Sequence, residues 1–278
     1  MISEDFEIAA GSIVGRDHLR PFGWRNNQDS FAIRMAEDVI VAVVTDGCGS
    51  ESKSEVGATL GAALVAESMI EELRVLGEDA ELAELPSGTR RRTLAHVRLL
   101  ANAMSQDFKR VIYDHFLFTV SGVLVARRET ALFSVGDGVQ FLNGERILLG
   151  PFENNTPPYL AYTLLAASGD QDPANDFKVS MVLPTEAVES LLVGTDGVEH
   201  LVAAESERLP GRSELVGPIL QFWTEDRYFE NPDAVRRRLA LMQHEHLAVD
   251  WREKAILRTS GKLPDDTTFI AIRRKPKH

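Results

Sequence analysis

Short runs of apolar residues, many of them β-branched, recur along this chain, each bounded by glycine, asparagine, aspartate or a charged turn. Runs of that length and composition predict strands. They fall at residues 6–14, 30–34, 39–45, 116–126, 130–135, 140–142, 146–149, 178–183, 190–195 and 267–273. Asn143-Gly144 between two of them is a strong two-residue turn signal and predicts an antiparallel hairpin over 140–149. Elsewhere the apolar spacing lengthens to three and four. The stretch 52–76 places Val56, Leu60, Leu64, Ile70 and Leu73 along one predicted helix. The stretch 89–115 carries Leu94, Val97, Ala101, Met104, Phe108 and Val111 as a one-sided stripe. Shorter helices are expected around 213–224, 232–244 and 249–259. A one-sided stripe must be buried, and sheets are the available partner. Strands in runs with helices in pairs predict a layered α+β fold with helices outside antiparallel sheets.

There is no internal repeat or low-complexity segment. The stretch 150–176 is turn-rich, with Pro151, Asn154-Asn155, Pro157-Pro158, Gly169-Asp170 and Pro173. Its flanks read as the same kind of sheet, so it is expected to be an insertion within a single domain covering 1–278. Of the 278 residues 44% are hydrophobic, enough for a sizeable core. The formal charge of −12 argues against general nucleic-acid binding, which needs a basic surface, and against anionic membranes. The longest apolar runs, such as 39–44, fall far short of the roughly 18 residues that span a bilayer. A single cysteine excludes an intrachain disulfide and fits a reducing compartment. The acidic start MISEDFEIAA has no basic n-region, so no leader is expected and a cytoplasmic location is.

The aspartates change this bland picture. Three predicted strands end in an Asp-Gly step, at Asp46-Gly47, Asp137-Gly138 and Asp196-Gly197. Two more strands are preceded by aspartate, at Asp29 and at Asp265-Asp266. Asp-Gly is a common turn, but five acidic positions at strand ends can converge on one rim of a sheet. Carboxylates packed together repel, and all-oxygen ligands suit hard divalent ions such as Mg²⁺ or Mn²⁺.

The ordered set of segments resembles the metal-dependent Ser/Thr protein phosphatases of the PP2C type, most of all a compact bacterial subgroup. The matching residues are Asn27-Gln28-Asp29-Ser30, Thr45-Asp46-Gly47-Cys48-Gly49-Ser50, Val135-Gly136-Asp137-Gly138, Thr195-Asp196-Gly197-Val198 and Asp265-Asp266-Thr267-Thr268. The resemblance implies a four-layer α-β-β-α sandwich of two antiparallel sheets flanked by helix pairs. It implies that Asp46 bridges two metal ions, that Asp29 and the Gly47 carbonyl complete one site, and that Asp196 and Asp265 hold the other. Asp137 would touch a third, weaker ion. The stretch 150–178 would be a flap over the active site. The implied activity is hydrolysis of phosphoserine and phosphothreonine in proteins, substrates of a Ser/Thr kinase, by a water activated between Mn²⁺ or Mg²⁺ ions.

Departures from the family pattern fix where expectations are weakest. A phosphate-gripping arginine belongs five residues before the first metal aspartate, where this chain has Trp24. Arg25 is the expected substitute, with Arg20 and His18 as alternatives. Gln28 stands in place of a glutamate and removes a charge near the metals. Cys48 is expected to be a small side chain in a tight loop. A cysteine phosphatase would need arginine six residues after Cys48, where Ser54 stands. No glycine-rich phosphate loop is present, and His244-Glu245-His246 lacks zinc spacing on a helix. Arg236–Arg238 reads as an exposed helix face. Two competing functions remain: a non-catalytic phosphoprotein-binding or regulatory member of the same fold, and a hydrolase of small phosphate esters.

Overall fold

The computed structural model describes residues 2–19, 26–36, 38–77, 81–150, 152–166 and 172–276. Its strands are β1 (Phe6–Ile13), β2 (Asp29–Ala36), β3 (Val39–Gly47), β4 (Phe118–Ala126), β5 (Glu129–Val135), β6 (Gly138–Leu142), β7 (Glu145–Leu149), β8 (Lys178–Pro184), β9 (Ser190–Gly194), β10 (His246–Asp250), β11 (Ala255–Thr259) and β12 (Thr267–Arg274). The helices are α1 (Ile2–Asp5), α2 (Ser54–Leu76), α3 (Leu85–Met104), α4 (Phe108–His115), α5 (Val198–Ala203), α6 (Gln221–Thr224), α7 (Arg227–Glu230) and α8 (Ala234–Gln243). Ten strands form two antiparallel five-stranded sheets, in the orders β1-β12-β9-β6-β7 and β2-β3-β4-β5-β8. The ten predicted strands all form, and Asn143 and Gly144 close the β6–β7 hairpin with φ of 50° and 86°.

Side-chain alternation along the central strands creates the layers. In β3, Val39, Val41 and Val43 join a core with Ala58, Ala62, Val65 and Ala66 of α2. Ile40, Ala42 and Val44 point the other way, into a core with Val193, Ile270 and Ile272 of the facing sheet. In β12, Phe269 and Ala271 meet Phe222, Val235 and Leu239 on the second helix layer. A strand buried on both faces reads as a continuous apolar run, which is why 39–44 does. The result is the expected sandwich of two sheets between helices. Among the described residues no helix is long and apolar enough to cross a membrane.

Four helix expectations need correction. The stretch 89–115 is two helices that begin earlier, at Leu85. Ser105 is extended (φ −161°, ψ 158°), and Asp107 restarts the helix by accepting the Arg110 N–H at 3.1 Å. In α2, Val56 and Leu60 are exposed. The buried face of its first half is Gly57, Ala58, Gly61 and Ala62, small residues packed close to the end of α4 and to β4, while Val65, Met69 and Ile70 are buried further along. Of 213–224 only α6 is helical, since Gly217 (φ 83°) and Pro218 break the path. The stretch 249–259 is not helical at all: it belongs to the hairpin β10–β11, with Val249 opposite Ile256. Asp250 closes its turn by accepting the N–H groups of Arg252 (2.9 Å) and Glu253 (3.2 Å). Arg238 also departs from expectation. It is buried, where it pairs with Glu214 and donates to the carbonyls of Leu215 and Val216.

Candidate metal centre

One end of the sandwich gathers the aspartates. Antiparallel register sets Asp29, the first residue of β2, opposite Asp46 near the end of β3. The chain passes from β5 to β6, and so from one sheet to the other, through Gly136-Asp137-Gly138. Glycine φ values of 84° and 133° permit that sharp reversal and leave Asp137 at the rim. Asp196 follows β9, and Asp265 precedes β12, whose start pairs with the end of β9. Asp46 therefore feels the charges of Asp29, Asp196, Asp137 and Asp265 together. The five positions picked out as metal ligands are brought to one place. Gly47 continues the same strand end, and its N–H donates to the Gln28 carbonyl at 3.0 Å.

Crowding and burial both oppose ionisation here. Asp46 and Asp29 are held well above the ordinary carboxylate range, first by desolvation. Asp29 is the first charge acting on Asp46, whereas Asp29 itself is raised by Asp266 and Asp196. The Thr195 hydroxyl partly offsets this by donating to Asp29 Oδ2 at 2.7 Å. Asp196 is raised by burial and then by Asp265. Asp137 is pushed up to about 6 by burial and by Asp196. Such a cluster is at ease only when positive charge enters it, and its oxygen donors fit Mg²⁺ or Mn²⁺.

The surrounding residues were less visible in the sequence. Asp266 is 3% exposed and binds three backbone or ring nitrogens from distant segments: Gly15, His18 and Gln28. The Gln28 side chain is held at the start of α2, where its Nε2 donates to Ser54 Oγ at 2.5 Å. Within the stretch 150–178, Tyr159, Leu160 and Ala161 are buried in the helix-side core. Tyr159 sits near Cys48, Asp46 and Asp137, and burial with those neighbours raises its phenol above the usual range. Cys48 lies half-buried in the loop, its N–H donating to the Leu117 carbonyl at 2.9 Å. No local spacing announces Thr195, Asp266 or Tyr159, since each contact joins residues far apart in the chain. Arg25 and Arg20 lie outside the described residues; His18 is described, beside Asp265 and Asp266.

Comparisons with known proteins bear on the family and the fold. A family model described as Protein phosphatase 2C matches residues 14–242. No curated protein matches the sequence. Among solved structures, the Ser/Thr phosphatase Stp1 from Staphylococcus aureus superposes with a TM-score of 0.53 at 14% identity, covering 98% of this chain and 96% of that one. Serine-threonine phosphatase 2C from Toxoplasma gondii gives 0.53 at 15% identity, covering 98% and 95%. A bacterial serine phosphatase gives 0.52 at 14%, covering 98% and 99%. At such identities the likeness concerns the fold.

Proposed function

This chain belongs to the protein phosphatase 2C family, and from that premise we propose that it hydrolyses phosphoserine and phosphothreonine in proteins, using Mn²⁺ or Mg²⁺ held at the acidic rim. One observation carries the reading: Asp29, Asp46, Asp137, Asp196 and Asp265, drawn from five separate segments, crowd together against the cost of burial and mutual repulsion. A structural turn has no use for that arrangement, whereas a divalent-ion site requires it.

Asp46 would hold one ion together with Asp29 and the Gly47 carbonyl, and a second together with Asp196 and Asp265. Asp137 would serve a third, weaker site. Paired ions lower the pKa of a shared water and neutralise phosphoryl oxygens. The chain's own residues supply position. Thr195 holds Asp29 in place through its hydroxyl. Asp266 fixes the loops bearing His18 and Gln28 around the rim. Tyr159 walls one side with an apolar ring that limits water entry. Arg25 is the proposed grip on the phosphate, a bidentate contact suited to guanidinium. The catalytic unit spans 1–278, with 150–178 as a segment beside the site, and it works on kinase substrates in the cytoplasm.

The test is turnover of a phosphothreonine peptide. Release of phosphate should require Mn²⁺ or Mg²⁺, stop in EDTA and return when Mn²⁺ is restored. Mn²⁺-loaded protein that binds the peptide without releasing phosphate would favour the non-catalytic reading. Turnover of p-nitrophenyl phosphate alone would favour small esters.

A further inference from the structure

A line of side-chain hydrogen bonds leaves Asp29, crosses to the other sheet and returns. The Asp29 N–H donates to Asn27 Oδ1 at 3.0 Å, and Asn27 Nδ2 lies 2.6 Å from Ser12 Oγ. Ser12 on β1 stands directly opposite Thr268 on β12, with 2.6 Å between their hydroxyl oxygens. Thr268 is fully buried and hydrogen-bonds the Asp29 carboxylate. The line thus begins and ends on one residue of β2, and its middle lies in the sheet that holds β1 and β12.

The direction of each bond follows from what each group can give. A backbone N–H only donates, so the Asn27 atom facing it is the oxygen, and the amide nitrogen turned to Ser12 is a donor. An ionised carboxylate only accepts, so the single proton of Thr268 goes to Asp29. The 2.6 Å contact between the two hydroxyls then takes its proton from Ser12. Donation runs one way, from Asn27 to Ser12, from Ser12 to Thr268 and from Thr268 to Asp29. Thr195 adds a second hydroxyl: its Oγ1 accepts the Thr268 N–H at 3.2 Å and donates to Asp29 Oδ2 at 2.7 Å. Two donors hold the carboxylate and leave its remaining lone pairs for a cation.

We propose that Ser12 is a positioning residue for Asp29 as an ion ligand, acting through Thr268 along a hydrogen-bond relay that starts at the Asn27 amide. The inference rests on the metal-dependent reading above. Ser12 acts at one remove. Its proton occupies the Thr268 oxygen and keeps the Thr268 hydroxyl turned toward Asp29; without it that hydroxyl is free to rotate. Ligating carboxylates depend on such partners, and losing one typically weakens metal binding by about 10–100-fold.

Calorimetric titration with Mn²⁺, carried out well below the melting temperature, separates positioning from folding. Ser12→Ala should weaken Mn²⁺ binding about tenfold, and Ser12→Thr, which keeps the hydroxyl, should restore it to within about threefold of wild type. Thr268→Val should lose at least as much as Ser12→Ala. The double variant of Ser12→Ala and Thr268→Val should lose no more than Thr268→Val alone, because both changes cut one relay. A Ser12→Ala protein that melts lower in EDTA yet binds Mn²⁺ as wild type does would overturn the proposal and leave the metal-dependent reading standing; Ser12 would then be a hydroxyl that only stabilises the fold. Losses that add in the double variant would overturn the relay equally. Ser12→Thr against Ser12→Val repeats the comparison at constant side-chain volume should Ser12→Ala fail to fold, and equal Mn²⁺ affinity in those two would again overturn it. A wild-type protein that binds no Mn²⁺ would overturn both the relay and the reading on which it rests.

Discussion

Asp46 is where the charges of the rim converge, and its neighbours set its weight relative to Asp137. Asp46 faces four other carboxylates, whereas Asp137 is raised chiefly by burial and by Asp196 alone. Asp46→Asn is therefore expected to cost far more phosphatase activity than Asp137→Asn under saturating Mn²⁺. If Asp46 shares two ions, a loss of about a hundredfold or more is expected, since each ion supplies several kcal/mol of charge stabilisation. The metal-free protein should respond in the opposite sense. Neutralising Asp46 relieves repulsion among Asp29, Asp196 and Asp265, so Asp46→Asn should melt higher than wild type in EDTA. Steady-state turnover and thermal melts of the two variants check both halves. Equal activity of Asp46→Asn and wild type across the Mn²⁺ range would remove Asp46 from the site.

Helix α2 shows how an element can be legible in kind and only partly in its docking face. Its existence followed from apolar spacing, and Ile70 of that spacing is buried, but the first half docks through small residues while Val56 and Leu60 are exposed. A Cβ added at Gly57 would come within 1.7 Å of the His115 carbonyl, and one at Gly61 within 2.3 Å of the Phe118 ring. Gly57→Ala should thus force the helix off the link between α4 and β4. Overpacking costs up to about 3 kcal/mol, and a clash with a backbone carbonyl belongs at that upper end, while the gain in helix propensity offsets about 1 kcal/mol. The remaining ~2 kcal/mol corresponds to a fall in melting temperature of roughly 4–8 °C. The exposed Thr59→Ala on the same helix should leave it unchanged. Melting of Gly57→Ala within a degree of wild type would refute the close docking. The same contrast explains what else the sequence did and did not reveal. Strand β3 was readable because both its faces are buried, and the five aspartates because each abuts a strand end. The β10–β11 hairpin was not. Its apolar residues Leu247, Val249, Ile256 and Leu257 are exposed, so no core imposes a diagnostic alternation, and a side-chain turn at Asp250 decides the conformation. Asp266 and His18 meet across 248 positions, which no local pattern encodes.

At the scale of the whole molecule, the rim makes stability depend on pH in an unusual direction. An acid with a higher pKa in the folded than in the unfolded chain holds more protons when folded, so its contribution weakens as pH rises through that interval. For Asp137 the interval runs from 3.8 to about 6. Asp29, Asp46 and Asp196 are displaced in the same direction. Asp233 acts oppositely, lowered to about 2 by its hydrogen bonds to Arg236 and Arg237, but that effect is confined to more acidic conditions. The metal-free protein should accordingly lose melting temperature between pH 4.5 and pH 7.5, as the crowded carboxylates are driven to ionise together. Divalent ions bind the ionised, folded form and should reverse the trend. At a hundredfold excess over its dissociation constant, Mn²⁺ would add about 2.7 kcal/mol, a rise of roughly 5–10 °C for a chain of this size. The rise should be largest near pH 7.5 and small near pH 5, where protons compete for the same oxygens. Melts in EDTA and in Mn²⁺ across that range give both curves. A metal-free melting temperature that climbs with pH, or a Mn²⁺ shift equal at both ends, would mean that the five carboxylates do not act as one cation site.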